Sequence, residues 1–206
     1  MHNFTMHVLM PASIGLVALA FIGLGLYVLV KRRPVVLHAR WMLVTMLIVL
    51  LPPILQQASV MLSDQRPPAG DSGLMFAVIL LMPITIVALL VVQMRGYFVF
   101  GATQESFRAG LLSALANLGL SPEETVSTIR LPSVPAELNV MMHGSMGTGQ
   151  LRLRSGGSSE LLARIAYGMR RHFDEAPGPT NLVSPVLHVV FGSLMGLMTY
   201  TMMRLG

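Results

Sequence analysis

The sequence predicts an α-helical polytopic membrane protein with four transmembrane helices and a small inserted α+β domain in the cytoplasm. Only 11% of its 206 residues are charged, whereas about a quarter are charged in an ordinary soluble domain. The 23 charged residues leave four long uncharged windows, and 15 of the 23 fall between residues 95 and 181. The apolar content of 53% and the absence of cysteine exclude a disordered chain and a disulfide scaffold.

Each uncharged window is long enough for a membrane span, since about 20 mainly apolar residues cross a hydrocarbon core of about 30 Å. A buried helix of a large soluble protein would need a larger polar shell than this chain possesses. The first window is followed by a basic cluster and not preceded by one, which predicts an anchor and not a cleavable signal peptide. We predict spans at about 8–30, 41–62 and 74–94 within residues 1–100, and at about 182–203 after a connector within residues 176–206.

Basic residues in the short loops set the predicted orientation, because such residues are retained on the cytoplasmic side. The loop 31–40 has four basic residues and no acid, whereas the loop between the second and third spans has one Arg and two Asp. Residues 31–40 and 95–181 are therefore expected in the cytoplasm, with both termini outside the inner membrane of the cell. The residues expected to fix this topology or to contact lipid head groups are Lys31, Arg32, Arg33, Arg40, Arg95, Arg170 and Arg171.

The net charge of +5 does not indicate a nucleic-acid partner. Most of the excess comes from the first loop, while residues 95–181 hold eight Arg and seven acidic residues. A domain with balanced charge binds the phosphate backbone poorly, so no nucleic acid is expected. The expected partners are the lipid bilayer and a protein that binds the inserted domain.

The inserted domain, residues 102–175, has the periodicities of a soluble α+β fold. A helix over about 104–118 is predicted from apolar residues at helical spacing, with Thr103 as its cap and Gly119 at its end. A short helical turn is expected at 121–124. Alternation then predicts three strands, at about 125–131, 137–143 and 150–154.

A second helix closes the domain, which therefore has the order α-β-β-β-α. Its apolar face, from Leu161 to Phe173, predicts a helix over about 159–173, and both helices are expected on one face of the sheet. The glycine-rich segment 144–149 joins strand to strand and lacks the Lys of a phosphate-binding loop, which favours a hairpin connection. Residues 174–179 are expected to connect back to the membrane.

The spans contain no Asp, Glu, Lys or Arg, and this argues against proton-coupled or hydrolytic chemistry within the membrane. His188 is the one clearly internal ionisable residue, and His38 is its nearest partner in depth. The two could together hold haem or a metal, although a histidine that bonds a neighbouring polar or backbone group is far commoner. No cofactor is therefore predicted, and His38 and His188 remain weak metal candidates.

Prolines and amides give the spans their most informative polar signal. Pro52, Pro53 and Pro83 lie near mid-depth, and each removes a helix hydrogen bond. Gln56 and Gln57 follow one turn later, so these five residues form either kinked helices joined by amide hydrogen bonds or a cavity for water or a small solute. Gly192 and Gly196 form a close-packing motif in the fourth span, for a neighbour in the chain or for a homo-oligomer.

Three functional hypotheses follow. The first is a non-enzymatic anchor, sensor or assembly protein whose cytoplasmic domain binds a protein partner. The alternative is a small oligomeric transporter or channel with a cavity at the kinked second and third helices. An enzyme acting on lipid or on a redox cofactor through His38 and His188 is the third and has the least support.

Overall fold

The computed structural model describes residues 8–62, 81–82, 85–89, 91–92, 95–124, 128–176 and 178–205. Within these ranges the helices with defined ends are α1 (Met10–Lys31), α2 (Ala39–Leu62), α3 (Gln104–Asn117), α4 (Ser159–Glu175) and α5 (Val183–Leu205), and residues 81–82, 85–89 and 91–92 are also helical. The strands are β1 (Val35–His38), β2 (Tyr97–Phe100), β3 (Glu123–Glu124), β4 (Thr128–Leu131), β5 (Ala136–His143) and β6 (Thr148–Gly156).

The chain divides into two units. The helical unit consists of Met1–Phe21, Arg40–Met94 and Phe191–Gly206. The sheet unit consists of Ile22–Ala39 and Arg95–Val190, so it contains the end of α1 and the beginning of α5 as well as the whole sheet.

Two helices, α1 and α5, are long and apolar enough to cross a membrane by length and composition, which is consistent with membrane association. They coincide with the first and fourth predicted spans to within two residues. Helix α2 covers the second predicted span. The part of α2 whose side chains are described, Ala39–Leu55, is apolar but shorter than a membrane span. Most of the third predicted span lies outside the described residues. The prediction of four spans is therefore not confirmed.

The sheet is larger than the sequence predicts. It has six antiparallel strands in the order β1-β2-β6-β5-β4-β3, where three were expected. Strands β1 and β2 lie outside the predicted domain 102–175, β1 within the predicted loop 31–40 and β2 shortly after the predicted span 74–94. The helical turn expected at 121–124 is wrong, because Glu123 and Glu124 pair with β4 as a two-residue strand.

The predicted hairpin at the glycine-rich segment is confirmed. Strands β5 and β6 pair along their whole length on either side of a turn, with a bulge near Glu137. The Met146 N–H donates to the His143 carbonyl at 3.0 Å within this turn.

Helices α3 and α4 cover one face of the sheet, as predicted. The two helices approach closely, since a Cβ built on Gly168 would lie 2.9 Å from Ala114 Cβ. We call this covered side the inner face of the sheet and the opposite side its outer face. The core between helices and sheet contains Val36, Val99, Phe107, Leu111, Leu115, Leu138, Leu151, Ile165, Met169 and Phe173.

The ends of α3 follow the predicted capping signals. Thr103 Oγ1 accepts from the Ser106 N–H at 3.2 Å, and Ser106 Oγ accepts from the Thr103 N–H at 2.9 Å, which closes a capping box. At the other end Gly119 has a φ of +67°, and the Leu120 N–H donates to the Leu115 carbonyl at 3.0 Å.

Candidate functional site

The β1–β2 ribbon joins the sheet directly to the apolar helices. Three residues separate the end of α1 from β1, and β1 runs into α2 without a linker. Arg32 turns the chain in a left-handed conformation with a φ of +48°. At the other end of the ribbon, the Ala39 N–H donates to the Gly96 carbonyl at 3.0 Å, immediately before β2. Both ends of β1 are thus fixed next to a helix terminus.

Asn181 holds the beginning of α5 against the β5–β6 turn. Its side-chain amide donates to the Gly144 carbonyl at 2.8 Å, and its Oδ1 accepts from the Val183 N–H at 2.9 Å. Its own N–H donates to the Gly101 carbonyl at 2.9 Å. Gly147 has a φ of +63°, and a Cβ there would lie 2.6 Å from Asn181 Cβ. The hairpin, the end of β2 and the start of α5 therefore meet at one residue, Asn181.

Glycines bring the end of α1 into contact with α5 and β2. A Cβ on Gly25 would lie 2.6 Å from the Pro185 carbonyl oxygen and 2.8 Å from Val189. A Cβ on Gly101 would lie 2.6 Å from Val28 Cγ1, and Gly101 has a φ of +75°. We name the set of these contacts, together with the β1–β2 ribbon and Asn181, the junction. The sequence contains weak signals for the junction. These are the glycines within the first predicted span, the Asn before the fourth predicted span, and the short β-branched or aromatic runs at 35–38 and 97–100.

The structure does not bring His38 and His188 together. The His38 ring packs edge-on against Tyr97 at 4.8 Å, on the inner face of the sheet. The His188 ring packs against Phe100 at 5.4 Å, on the outer face. His188 Nδ1 also lies 2.7 Å from the Ser184 carbonyl oxygen, to which it donates. Within the described residues, no group of three or more His, Cys, Asp or Glu is placed to hold a metal ion.

Three of the basic residues assigned to topology or lipid contact lie against protein groups. Arg170 Nη2 donates to the Val36 carbonyl at 2.8 Å, so α4 is fastened to β1. Arg33 lies 3.9 Å from Asp174. Arg171 is paired with Glu175 at 2.6 Å, and this hydrogen bond and the carboxylate charge raise the pKa of Arg171. These contacts were not deducible from the charge pattern.

The residues of the predicted membrane cavity are only partly described. Pro52 and Pro53 lie inside α2, which continues through both of them. Their missing N–H groups leave the carbonyls of Ile48 and Val49 without the usual helical donor. The side chains of Gln56 and Gln57, and the whole of Pro83, lie outside what the structure describes.

The two glycines of the predicted packing motif differ in their surroundings. Gly192 is buried. A Cβ on Gly196 would meet nothing within 4 Å among the described residues.

A cleft of about 260 Å³ opens at the start of α4 and is lined by Val134, Ser158, Glu160, Leu161 and Arg164. Its polar groups already serve the fold. Ser158 Oγ caps α4 by accepting from the Leu161 N–H at 3.2 Å, and Glu160 is paired with Arg164 at 2.6 Å. The junction is therefore the better candidate for a functional site.

No protein-family model, curated protein or solved structure matches this chain.

Proposed function

We propose that the chain is a multi-pass protein of the inner membrane, with four spans and both termini external. Its sheet unit is cytoplasmic and acts as a non-enzymatic platform that binds a protein partner. The partner is thereby held at the membrane surface.

One observation carries this proposal. Strand β1, which connects two apolar helices, is also a strand of the same sheet as the inserted segment 97–156. The sheet is consequently part of the connections between helices. A tethered catalytic domain, in contrast, would be joined to the helices by a flexible linker. Such a construction suits a platform of fixed position.

The basic residues that precede β1 support the cytoplasmic assignment. Lys31, Arg32 and Arg33 stand between α1 and the sheet, and positive charge in a short loop is retained in the cytoplasm. The sheet unit is then on the same side as this loop.

A partner surface is proposed on the exposed side of α4. Tyr167 is 69% exposed there, although tyrosine normally buries much of its ring. The ion pairs Glu160–Arg164 and Arg171–Glu175 lie one turn to either side on the same face. An exposed aromatic ring bordered by charged groups has the composition of a protein-interface anchor.

Site-specific photocrosslinking in native membranes tests this proposal. A benzophenone amino acid replaces Tyr167 in the full chain, and the matched control places it at Gln150 on the outer face of the sheet. We expect one discrete protein adduct from position 167 and none from position 150. No adduct from 167, or the same adduct from both positions, would overturn the proposed partner surface.

A transporter or channel is the second candidate, and the observation that favours it is the Pro52–Pro53 pair inside α2. The freed carbonyls of Ile48 and Val49 are polar groups at mid-helix, where water or a solute could be their partner. Solute flux through proteoliposomes tests it, with the double substitution Gln56→Leu and Gln57→Leu. Flux that is present in the parent chain and lost in this variant would support a channel over a platform.

A further inference from the structure

We propose that the outer face of the sheet lies flat on the membrane surface and binds anionic lipid head groups. This inference rests on the proposed membrane insertion of α1, α2 and α5. It assigns a lipid ligand to a sheet face that neither the charge pattern nor the predicted domain had indicated.

Strand β1 is held at both ends. Its four residues span about 13 Å. Three residues connect its start to α1, and its end is continuous with α2. If both helices enter the bilayer, neither end of β1 can rise far from the surface. The strand therefore runs along the membrane and not away from it.

The turn between β5 and β6 is a third point at which the sheet is attached near a helix terminus. Asn181, two residues before α5, binds the turn between β5 and β6. Strand β5 is three strands away from β1 in the sheet order, which corresponds to about 14 Å. The two ends of β1 and this turn are not collinear, so together they fix the sheet plane parallel to the membrane.

The outer face of the sheet is the face directed toward the bilayer. Helices α3 and α4 cover the inner face, so that face is directed away from the bilayer. Phe100 points to the outer face and contacts His188 of α5. Phe98 lies on the same face, with its ring 6.2 Å from that of Phe100.

The outer face of the sheet is apolar on one side and basic on the other. Leu37 and Phe98 make its β1–β2 side apolar, and Met141 on β5 is 50% exposed. Arg152 and the exposed Arg154 make its β6 side basic, and the acidic Glu137 is bound by Arg130 at 3.0 Å. Apolar and aromatic side chains beside arginines match the interface of an anionic leaflet.

The test uses the full chain in nanodiscs of zwitterionic lipid with or without phosphatidylglycerol. Because the chain has no cysteine, Met141→Cys and Ala109→Cys each accept one nitroxide label. Met141 is on the outer face, and Ala109 is the exposed control on α3. Collision with Ni²⁺ chelated to lipid head groups is then measured. We expect several-fold more collision for the label at 141 than for the label at 109, and more with anionic lipid.

Charge variants separate lipid binding from mere proximity. With the label at 141, Arg154→Gln is expected to reduce the preference for anionic lipid by about fivefold, because a basic residue near an anionic surface contributes about that factor. Arg154→Lys keeps the charge and should keep the preference. Equal preference in Gln and Lys variants would overturn the role of the charge.

Two further outcomes distinguish this inference from the proposed function. Equal collision at 141 and 109, in a chain that still resists carbonate extraction, would overturn the flat sheet and leave membrane insertion standing. A chain that carbonate removes from the membrane would overturn the proposed function itself. The label at 141 could also collide with the head-group Ni²⁺ in nanodiscs but be shielded from it in native membranes. That result would mean that a protein covers the outer face, and it would overturn the lipid assignment.

Discussion

Single residues determine how closely the end of α1 meets α5. Gly25 is the clearest example, because a methyl group at its Cα would lie within 3 Å of a backbone carbonyl. A backbone atom cannot move away as a flexible side chain can. The motif chosen from the sequence, Gly192 and Gly196, was in the other helix of the pair. A spacing of small residues indicates close packing but does not identify the face that is used.

Gly25→Ala is expected to destabilise the full chain by about 1–3 kcal/mol, because the added methyl group overpacks the contact with Pro185. Gly23→Ala is the matched control in the same helix, since a Cβ there meets nothing within 4 Å of it among the described residues. That change should be neutral or stabilising by about 0.5–1 kcal/mol. Thermal unfolding in detergent measures both, and equal effects would contradict the close approach.

Asn181→Ala is expected to cost about 1–2 kcal/mol, because it removes the cap of α5 and the bond to the Gly144 carbonyl. Asn117→Ala serves as the control, since Asn117 is an exposed residue at the end of α3 and its change should stay within about 0.5 kcal/mol. The same unfolding assay compares them. A cost at 181 no greater than at 117 would remove Asn181 from the junction.

At the scale of elements, local signals predicted what local interactions determine. The bounds of α3 followed from Thr103 and Gly119, and the hairpin followed from two alternating runs around glycines. Strands β1 and β2 were missed for a physical reason. Each is four residues long and adjoins an apolar segment, and they pair with each other across about 60 residues of chain. Because both faces of these strands carry apolar residues, neither segment shows the alternation of a strand with one buried face.

The hydrogen bond from Arg170 to the Val36 carbonyl links α4 to β1. Arg170→Gln removes the bond to the Val36 carbonyl, so β1 should open more easily than the rest of the sheet. Hydrogen exchange should rise several-fold at residues 35–38 and stay unchanged in β4. Arg164→Gln, whose partner Glu160 is at the other end of α4, is the control. Faster exchange throughout the sheet, or the same change in both variants, would contradict a specific link between α4 and β1 through Arg170.

For the candidate site, the sequence identified the residue type but not the contacts. The charge pattern predicts roles in topology or lipid contact for the basic residues at 31–33 and for Arg170 and Arg171 of α4. In the structure, Arg33 pairs with Asp174 of α4, and Arg170 donates to the Val36 carbonyl of β1. His38 and His188 are paired in the sequence-based prediction only because their estimated depths in the membrane are similar. Depth does not indicate that a sheet separates the two rings.

At the scale of the whole molecule, the chain interleaves apolar helices with one sheet. The distribution of charge predicts separate membrane spans and a domain inserted between the third and fourth of them. In the structure, however, the sheet contains β1 and β2, which precede and follow the second and third predicted spans, and it is bonded to the start of α5 through Asn181. If the proposed platform function holds, displacement of any of those helices should be transmitted to the sheet, whereas a domain on a flexible tether would not respond.

The most direct test of this account is a disulfide between β1 and β2 in intact membranes. Leu37 and Phe98 are directly paired, so the variant Leu37→Cys with Phe98→Cys should crosslink within one chain on mild oxidation. Leu37→Cys with Phe100→Cys is the control on the same face, one pair along the ribbon, and should crosslink poorly. Mass spectrometry of the oxidised peptides gives the yield for each. A high yield for 37–98 and a low one for 37–100 is the predicted result, and equal yields or none for 37–98 would contradict a sheet built between the helices.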